Sequence, residues 1–282
     1  WGNPKTTKAM IDTVKDAGFN AVRIPVTWGE HLSADNTIDA DYLNRVQEIV
    51  DYAMDDNLYV ILNVHHDDAL WLHPTYSEQA AVTEKLTAIW QQLCERFGDY
   101  DHHLVFEGMN EPRVIGSATE WSGGTPEERD VINQLYQAFI DTVRATGGLN
   151  ADRTLIISSH AQSITKEAVS AVKIPDDAHI AVSIHSYAPW DFCGTDDTRS
   201  DWGNDADKQE LDTNFQYLED TFISKGVPVL LDEFGAVDKN NTSIRAQYYA
   251  YYVKSAKAHG ITCFVWDNGT ESEKIGRASC RE

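Results

Sequence analysis

Residues 104–112 read Leu-Val-Phe-Glu-Gly-Met-Asn-Glu-Pro. A short apolar run, sized for a buried strand, ends in an amide, a carboxylate and a proline. An apolar strand with such an ending is a poor packing choice unless polar chemistry gathers at its C-terminal end. The same design recurs. Arg23 sits in Ala-Val-Arg-Ile-Pro-Val, and His65 and His66 end Val-Ile-Leu-Asn-Val-His-His. His160 ends Ile-Ile-Ser-Ser-His, and His185 and Tyr187 end Ala-Val-Ser-Ile-His-Ser-Tyr. Glu233 closes Val-Pro-Val-Leu-Leu-Asp-Glu, and Trp266 follows Cys-Phe-Val.

Working outward, these runs predict seven strands, at 21–26, 59–65, 104–109, 154–159, 180–187, 228–234 and 262–266. Longer amphipathic stretches predict helices near 5–18, 40–57, 77–97, 126–147, 162–173, 207–225 and 241–259. Gly18, Asn57, Gly98, Gly147, Gly226 and Gly260 mark the ends of several of them. Strands alternating with helices imply parallel βαβ units, which a doubly wound sheet and a (β/α)8 barrel both satisfy. No GxGxxG or GxxxxGK[ST] follows a strand, so the nucleotide-binding open sheet loses support. A barrel puts its chemistry at the C-terminal ends of several different strands, which is the pattern seen. The expected fold class is therefore α/β, a (β/α)8 barrel.

Strand parity sharpens this, because alternate residues face one side. Asn63 and His65 share a face, as do Glu107 and Glu111, Ser183, His185 and Tyr187, Leu231 and Glu233, and Phe264 and Trp266. Asn110 breaks parity with Glu111, so a bulge or twist is expected where that strand ends.

The 282 residues are 42% apolar and 24% charged, which excludes a disordered chain. The formal charge of −22 argues against nucleic acid and anionic membranes as partners, and costs nothing with a neutral substrate. No apolar run approaches the 18 or more residues of a spanning helix. The cysteines at 94, 193, 263 and 280 have no zinc-ligand spacing, and Cys94 and Cys263 read as buried thiols.

At Asn-Glu-Pro (110–112) and Asp-Glu-Phe-Gly (232–235) the sequence resembles glycoside hydrolase family 5. More narrowly, it is similar to bacterial endoglucanases of that family with WGNP, FEGMNEP, HSY and WDNG motifs. The resemblance runs from Trp1 to about Thr270. It implies the barrel, retaining hydrolysis of β-1,4-glycosidic bonds, and neither cofactor nor metal. Position by position it implies Glu111 as general acid/base and Glu233 as nucleophile, with Arg23, His65, Asn110, His185, Tyr187 and Trp266 completing the site. His66 and Trp1 are further candidates for substrate contact. The implied partner is a β-glucan, met by a monomer that is secreted or held at a bacterial cell surface.

The chemistry needs one carboxyl group to protonate the leaving oxygen and a second, about 5–5.5 Å away, to attack the anomeric carbon. A neighbouring carboxylate raises the acid's pKa until the ester forms, after which the same group serves as base toward water. Arg23 is expected to hold Glu233 ionised, Tyr187 to bond the nucleophile, and Asn110 to donate to the sugar 2-hydroxyl. His185 is expected to position Glu111 or a sugar hydroxyl, and Trp266 to offer a face to a sugar ring. Trp1, Trp28, Trp71 and Trp190 are either further platforms or packing.

Structural alternatives stand beside these. Arg23 can be a core ion-pair partner of Glu107, which reads as a buried anchor for an inward arginine. His160 reads as structural, His102 and His103 as a solvated loop, and the acidic stretch 196–207 as a solvated loop before a helix. His65-His66-Asp67-Asp68 is not expected to hold a metal, since adjacent strand residues face opposite ways. Xyloglucan, lichenan, mannan and xylan remain alternative substrates, and a catalytically inactive sugar-binding barrel is the alternative of another class. Relative to the family pattern a first strand and last helix are missing, so residues 1–273 read as a barrel fragment with unpaired edges prone to aggregation. Residues 274–282, Lys-Ile-Gly-Arg-Ala-Ser-Cys-Arg-Glu, read as a non-native tail.

Overall fold

The computed structural model describes residues 4–195 and 199–267. Trp1, part of the acidic stretch and the tail 274–282 lie outside the described residues. The chain divides into two compact units, residues 6–181 and residues 182–282 with 1–5; the boundary falls within the fifth strand.

The first unit runs α1 (Lys8–Asp16), β1 (Ala21–Ile24), α2 (Ala40–Asp55), β2 (Tyr59–Asn63), α3 (Gln79–Phe97), β3 (Leu104–Glu107), α4 (Pro126–Ala145), β4 (Leu155–Ser163) and α5 (Lys166–Val169). Strands β1 to β4 pair in parallel and in chain order, with Arg23 beside Ile61, Asn63 beside Glu107, and Glu107 beside Ile156. The second unit holds β5 (Ile180–His185), α6 (Trp190–Cys193), α7 (Asp205–Thr221), β6 (Val229–Phe234), α8 (Thr242–Ala258) and β7 (Thr262–Val265). Its strands are also parallel and in chain order.

Local chemistry sets the helix starts. The Asp39 carboxylate accepts from Tyr42 N at the start of α2. Thr125 and Glu128 form a capping box around Pro126 at α4, and Asn204 and Asp207 form another at α7. Of the six residues expected to end helices, five take positive φ, from 55° at Asn57 to 94° at Gly18, whereas Gly98 stays helical at −61°.

Packing follows from the apolar faces. Trp90 of α3 lies 5.1 Å from Phe106 and 4.6 Å from Phe139 of α4, ring centre to ring centre. A Cβ at Gly108 would stand 2.8 Å from Phe139, so this close approach of α4 requires the glycine that follows β3. The fully buried Arg153 donates to the carbonyls of Phe97, Tyr100, Asp101 and Leu104 and to Asn150, tying the end of α3 to the start of β3. In the second unit Phe234 stacks on Tyr252 at 4.1 Å. Tyr252 and Tyr248, one helical turn apart on α8, donate to the carbonyls of Ser186 and Ala188 and so fix the backbone on either side of Tyr187.

Several expectations need correction. Segment 162–173 forms only the single turn α5, because β4 runs on to Ser163 through left-handed Ala161 and Gln162. Beyond α5, Asn133 donates to Ala171 O and accepts from Lys173 N, holding that backbone out of a helix. Five predicted strands end one to two residues early, at Ile24, Asn63, Glu107, His185 and Val265, so most motif residues stand on the loops just beyond the ladders. Trp190 opens the unpredicted turn α6. Cys263 is half-buried, unlike Cys94. Asp207 is buried and paired with Arg199, so it is no part of a solvated loop.

His160 is structural, as expected: its buried Nε2 lies 2.7 Å from Glu128 Oε2, within the α4 capping box. Burial pushes the His160 pKa down, against the opposing pull of Glu128. Glu128 is itself lowered: bonds from His160 and Thr125 outweigh burial, the largest single influence, which acts the other way. Both groups therefore bind protons more readily when unfolded, and stability they confer near neutrality is lost as pH falls, first below about 6.5 and then below about 4.5. His160→Gln should flatten the upper part of this acid-side decline in melting temperature measured from pH 7 to 5; an unchanged slope would contradict the assignment.

Candidate active site

In the first unit the strand ends are organised around Glu107, which is completely buried. Arg23 grips it bidentately, Nε to Oε2 at 2.6 Å and Nη2 to Oε1 at 2.7 Å. Asn63 Nδ2 donates to Oε2 and Gln162 Nε2 to Oε1, both at 3.3 Å. Donors from the ends of β1, β2 and β4 thus meet one acceptor on β3. This is the core ion pair weighed from the sequence.

Two routes lead from Glu107 to the Asn-Glu-Pro motif. Arg23 Nη2 also donates to Asn110 Oδ1 at 2.7 Å, which commits that oxygen and turns the amide NH2 the other way. Gln162 Oε1 accepts from Glu111 N at 2.7 Å. The expected twist is at Glu111 itself, whose φ is 40°, a left-handed value costly for a residue with a side chain. Met109 and Asn110 are buried, whereas Glu111 is half-buried.

The histidine-aspartate run is spread over separate roles. His65 is buried, with Nδ1 3.1 Å from Asn63 Nδ2, as their shared parity predicts. His66 is exposed and meets the His65 ring edge to face. Asp67 accepts from Trp28 N, Gly29 N and Trp71 Nε1, and burial pushes its pKa up in spite of these donors. Asp68 is also buried and raised, chiefly by desolvation, and its Oδ2 lies 2.7 Å from Arg113 Nη1.

Among the tryptophans left open as platforms or packing, Trp28 is packing: it is fully buried, and its indole N–H donates to Asn63 O. Trp71 is half-buried and tethered to Asp67. Trp190 is 54% exposed, as is Trp121 at 59%, which the sequence reading passed over.

In the second unit Glu233 lies one residue before the end of β6, next to Asp232. The β5–β6 register shifts between Ile184 and His185, so His185 pairs with Glu233 while Asp232 is skipped. Tyr187 donates its hydroxyl to Glu233 Oε2 at 2.8 Å, as expected for a residue serving that carboxylate. His185 stands between two acids, Nδ1 3.6 Å from Glu233 Oε2 and Nε2 3.3 Å from Asp232 Oδ1. Ser183 also donates to Asp232. Trp266 is half-buried, and its N–H bonds Phe234 O at 2.9 Å, which holds it beside the end of β6.

Sequence reasoning missed Gln162, Arg113 and Trp121. Gln162 lay in an expected helix and carried no signal. Arg113 directly follows the Asn-Glu-Pro motif, and that adjacency was the available clue.

Comparison with known proteins gives one consistent answer. The model of the cellulase family, glycosyl hydrolase family 5, matches residues 1–272. Endoglucanase A of Clostridium longisporum is 47% identical over 270 residues, covering 95% of this chain and 52% of that protein. The chain thus spans about half the length of that relative. A GH5-4 broad specificity endoglucanase from Clostridium acetobutylicum superposes with a TM-score of 0.95 at 46% identity, covering 98% of this chain and 85% of that one. A xyloglucan-specific endo-β-1,4-glucanase from a metagenomic library, in complex with cellotriose, matches at 0.93 and 47%, covering 98% and 83%. The fold class is the (β/α)8 barrel, as the strand-end chemistry predicts.

The Glu107 hub makes a direct prediction. Glu107→Gln leaves Arg23 buried without its counter-charge, and breaking such a pair costs about 3–5 kcal/mol. Denaturant unfolding should show a loss of that order; a loss below about 1 kcal/mol, the scale of an exposed pair, would remove Glu107 as the organising group.

Proposed function

The chain belongs to glycoside hydrolase family 5, and from that premise we propose that it is a retaining endo-β-1,4-glucanase cutting internal bonds of cellulose-like β-glucans. The supporting observation is that the glutamate of each family motif stands at or just beyond a parallel strand with a named hydrogen-bond partner. Glu111 is held through Gln162, and Glu233 by Tyr187.

In this reading Glu233 attacks the anomeric carbon and forms an ester bond to it, while Glu111 gives its proton to the departing glycosidic oxygen. Water then loses a proton to Glu111, and its oxygen displaces Glu233 from the sugar. Double displacement requires the two carboxyl groups to stand about 5–5.5 Å apart. Asn110, its oxygen committed to Arg23, is oriented to donate from its NH2 to the sugar 2-hydroxyl, where a bond strengthens as positive charge grows at the anomeric centre. Trp266 offers a ring face to a sugar, and His65, His66 and His185 supply polar contacts. Trp1 belongs to the same proposal on the family motif alone. The formal charge of −22 suits a neutral polysaccharide. An insoluble polymer must be met outside the cell, so we place the enzyme in the secreted or surface-held class, acting as a monomer.

The test is a reducing-sugar assay on carboxymethylcellulose, xyloglucan, lichenan and mannan. Xyloglucan and lichenan belong in the panel because a xyloglucan-specific endo-β-1,4-glucanase and a lichenase are among the similar solved proteins. Glu233→Ala should fall to background and Glu111→Gln by about 10²–10⁴-fold, with no loss on adding chelator. Unchanged hydrolysis by Glu233→Ala would defeat the assignment of nucleophile.

A further inference from the structure

We propose that Arg113 is a positioning residue for Glu111, holding both its backbone and its carboxylate in the orientation that proton transfer needs; this rests on the reading of Glu111 as acid/base. Arg113 Nη1 faces three acceptors: Asp68 Oδ2 at 2.7 Å, Glu111 O at 2.9 Å and Glu111 Oε2 at 3.2 Å. The guanidinium is itself held in place. Its Nε donates to Glu120 Oε1 at 3.0 Å, and the other Glu120 oxygen accepts from Gly116 N at 2.8 Å. One face of the guanidinium lies on the Trp121 ring, 4.5 Å from its centre. The planar fork is therefore fixed by an acid at either edge and a ring across its face.

What this frame holds is a strained turn. Glu111 has a left-handed φ of 40° without being glycine, a conformation that persists only where the surroundings enforce it. Gln162 takes the Glu111 N–H and Arg113 takes its carbonyl, so the peptide groups on both sides of the turn are pinned. The same Nη1 then reaches the carboxylate. Asp68 is buried, and its contact with Arg113 keeps the guanidinium from swinging away. A misplacement of about 1 Å in a reacting group can cost 10²-fold in rate, which is the scale expected here.

Positioning of an acid has a signature that general loosening lacks: it matters only when the leaving group needs a proton. Single-turnover cleavage is to be compared for cellotetraose, whose leaving group is a sugar alkoxide, and for 2,4-dinitrophenyl β-cellobioside, whose leaving group departs unprotonated. Arg113→Met should slow the first by about 10²-fold and the second by no more than about threefold. Arg113→Lys, which keeps the charge but loses the fork, should fall between, and it serves if the methionine variant does not fold. Equal losses on both substrates, or no loss on either, would overturn the proposal. Glu111→Gln run alongside separates the two claims. If it discriminates between the substrates and the Arg113 variants do not, the positioning role falls and the acid assignment stands. If Glu111→Gln does not discriminate, the acid assignment falls and this inference with it.

Discussion

A single buried carboxylate, Glu107, sets the geometry of the first unit. Placing a charge in a protein interior is costly, and a pair such as Glu107 with Arg23 adds little net stability over apolar packing. Its effect is on arrangement. Because every acceptor lone pair needs a donor, side chains from β1, β2 and β4 are drawn to one point on β3. Arg23 and Gln162 also reach the Asn-Glu-Pro motif, Arg23 donating to Asn110 and Gln162 accepting from Glu111 N.

The second unit repeats the idea with other residues. Asp232 is buried beside the motif glutamate and accepts from Ser183, with His185 Nε2 3.3 Å away, while Tyr187 donates to Glu233. In both units an anchoring acid takes structural contacts while a neighbouring acid, at or beyond the strand end, carries the proposed chemistry. The supports behind them are apolar: Trp90 between Phe106 and Phe139, and Phe234 stacked on Tyr252. The same tyrosine reaches with its hydroxyl to Ser186 O, so packing of α8 and placement of the loop after β5 are one event.

The seven strands were legible because apolar-rich runs of five to eight residues broken by Gly, Asn and Asp admit few other readings. Parity correctly grouped Asn63 with His65 and exposed the conflict at Asn110 and Glu111, which the chain resolves with a left-handed Glu111. Gln162 was hidden because Ala161 and Gln162, two residues with no turn preference, both adopt positive φ under tertiary constraint. The choice between platform and packing at Trp28, and the burial of Asp207, were illegible for a related reason. Their burial depends on distant partners, Asn63 O and Arg199, which no local pattern announces. The motif carboxylates and Tyr187 were legible in the sequence, but Gln162 and Arg113, which bond Glu111, were not.

The central claim is that Glu233 becomes covalently bound to the sugar. A 2-deoxy-2-fluoro-β-cellobioside with an activated leaving group slows release of such an ester, so that it accumulates. Mass spectrometry of the proteolysed protein should find one fluorocellobiosyl group on the peptide containing Glu233. A label on another residue, or none while substrate is still being turned over, would contradict the account.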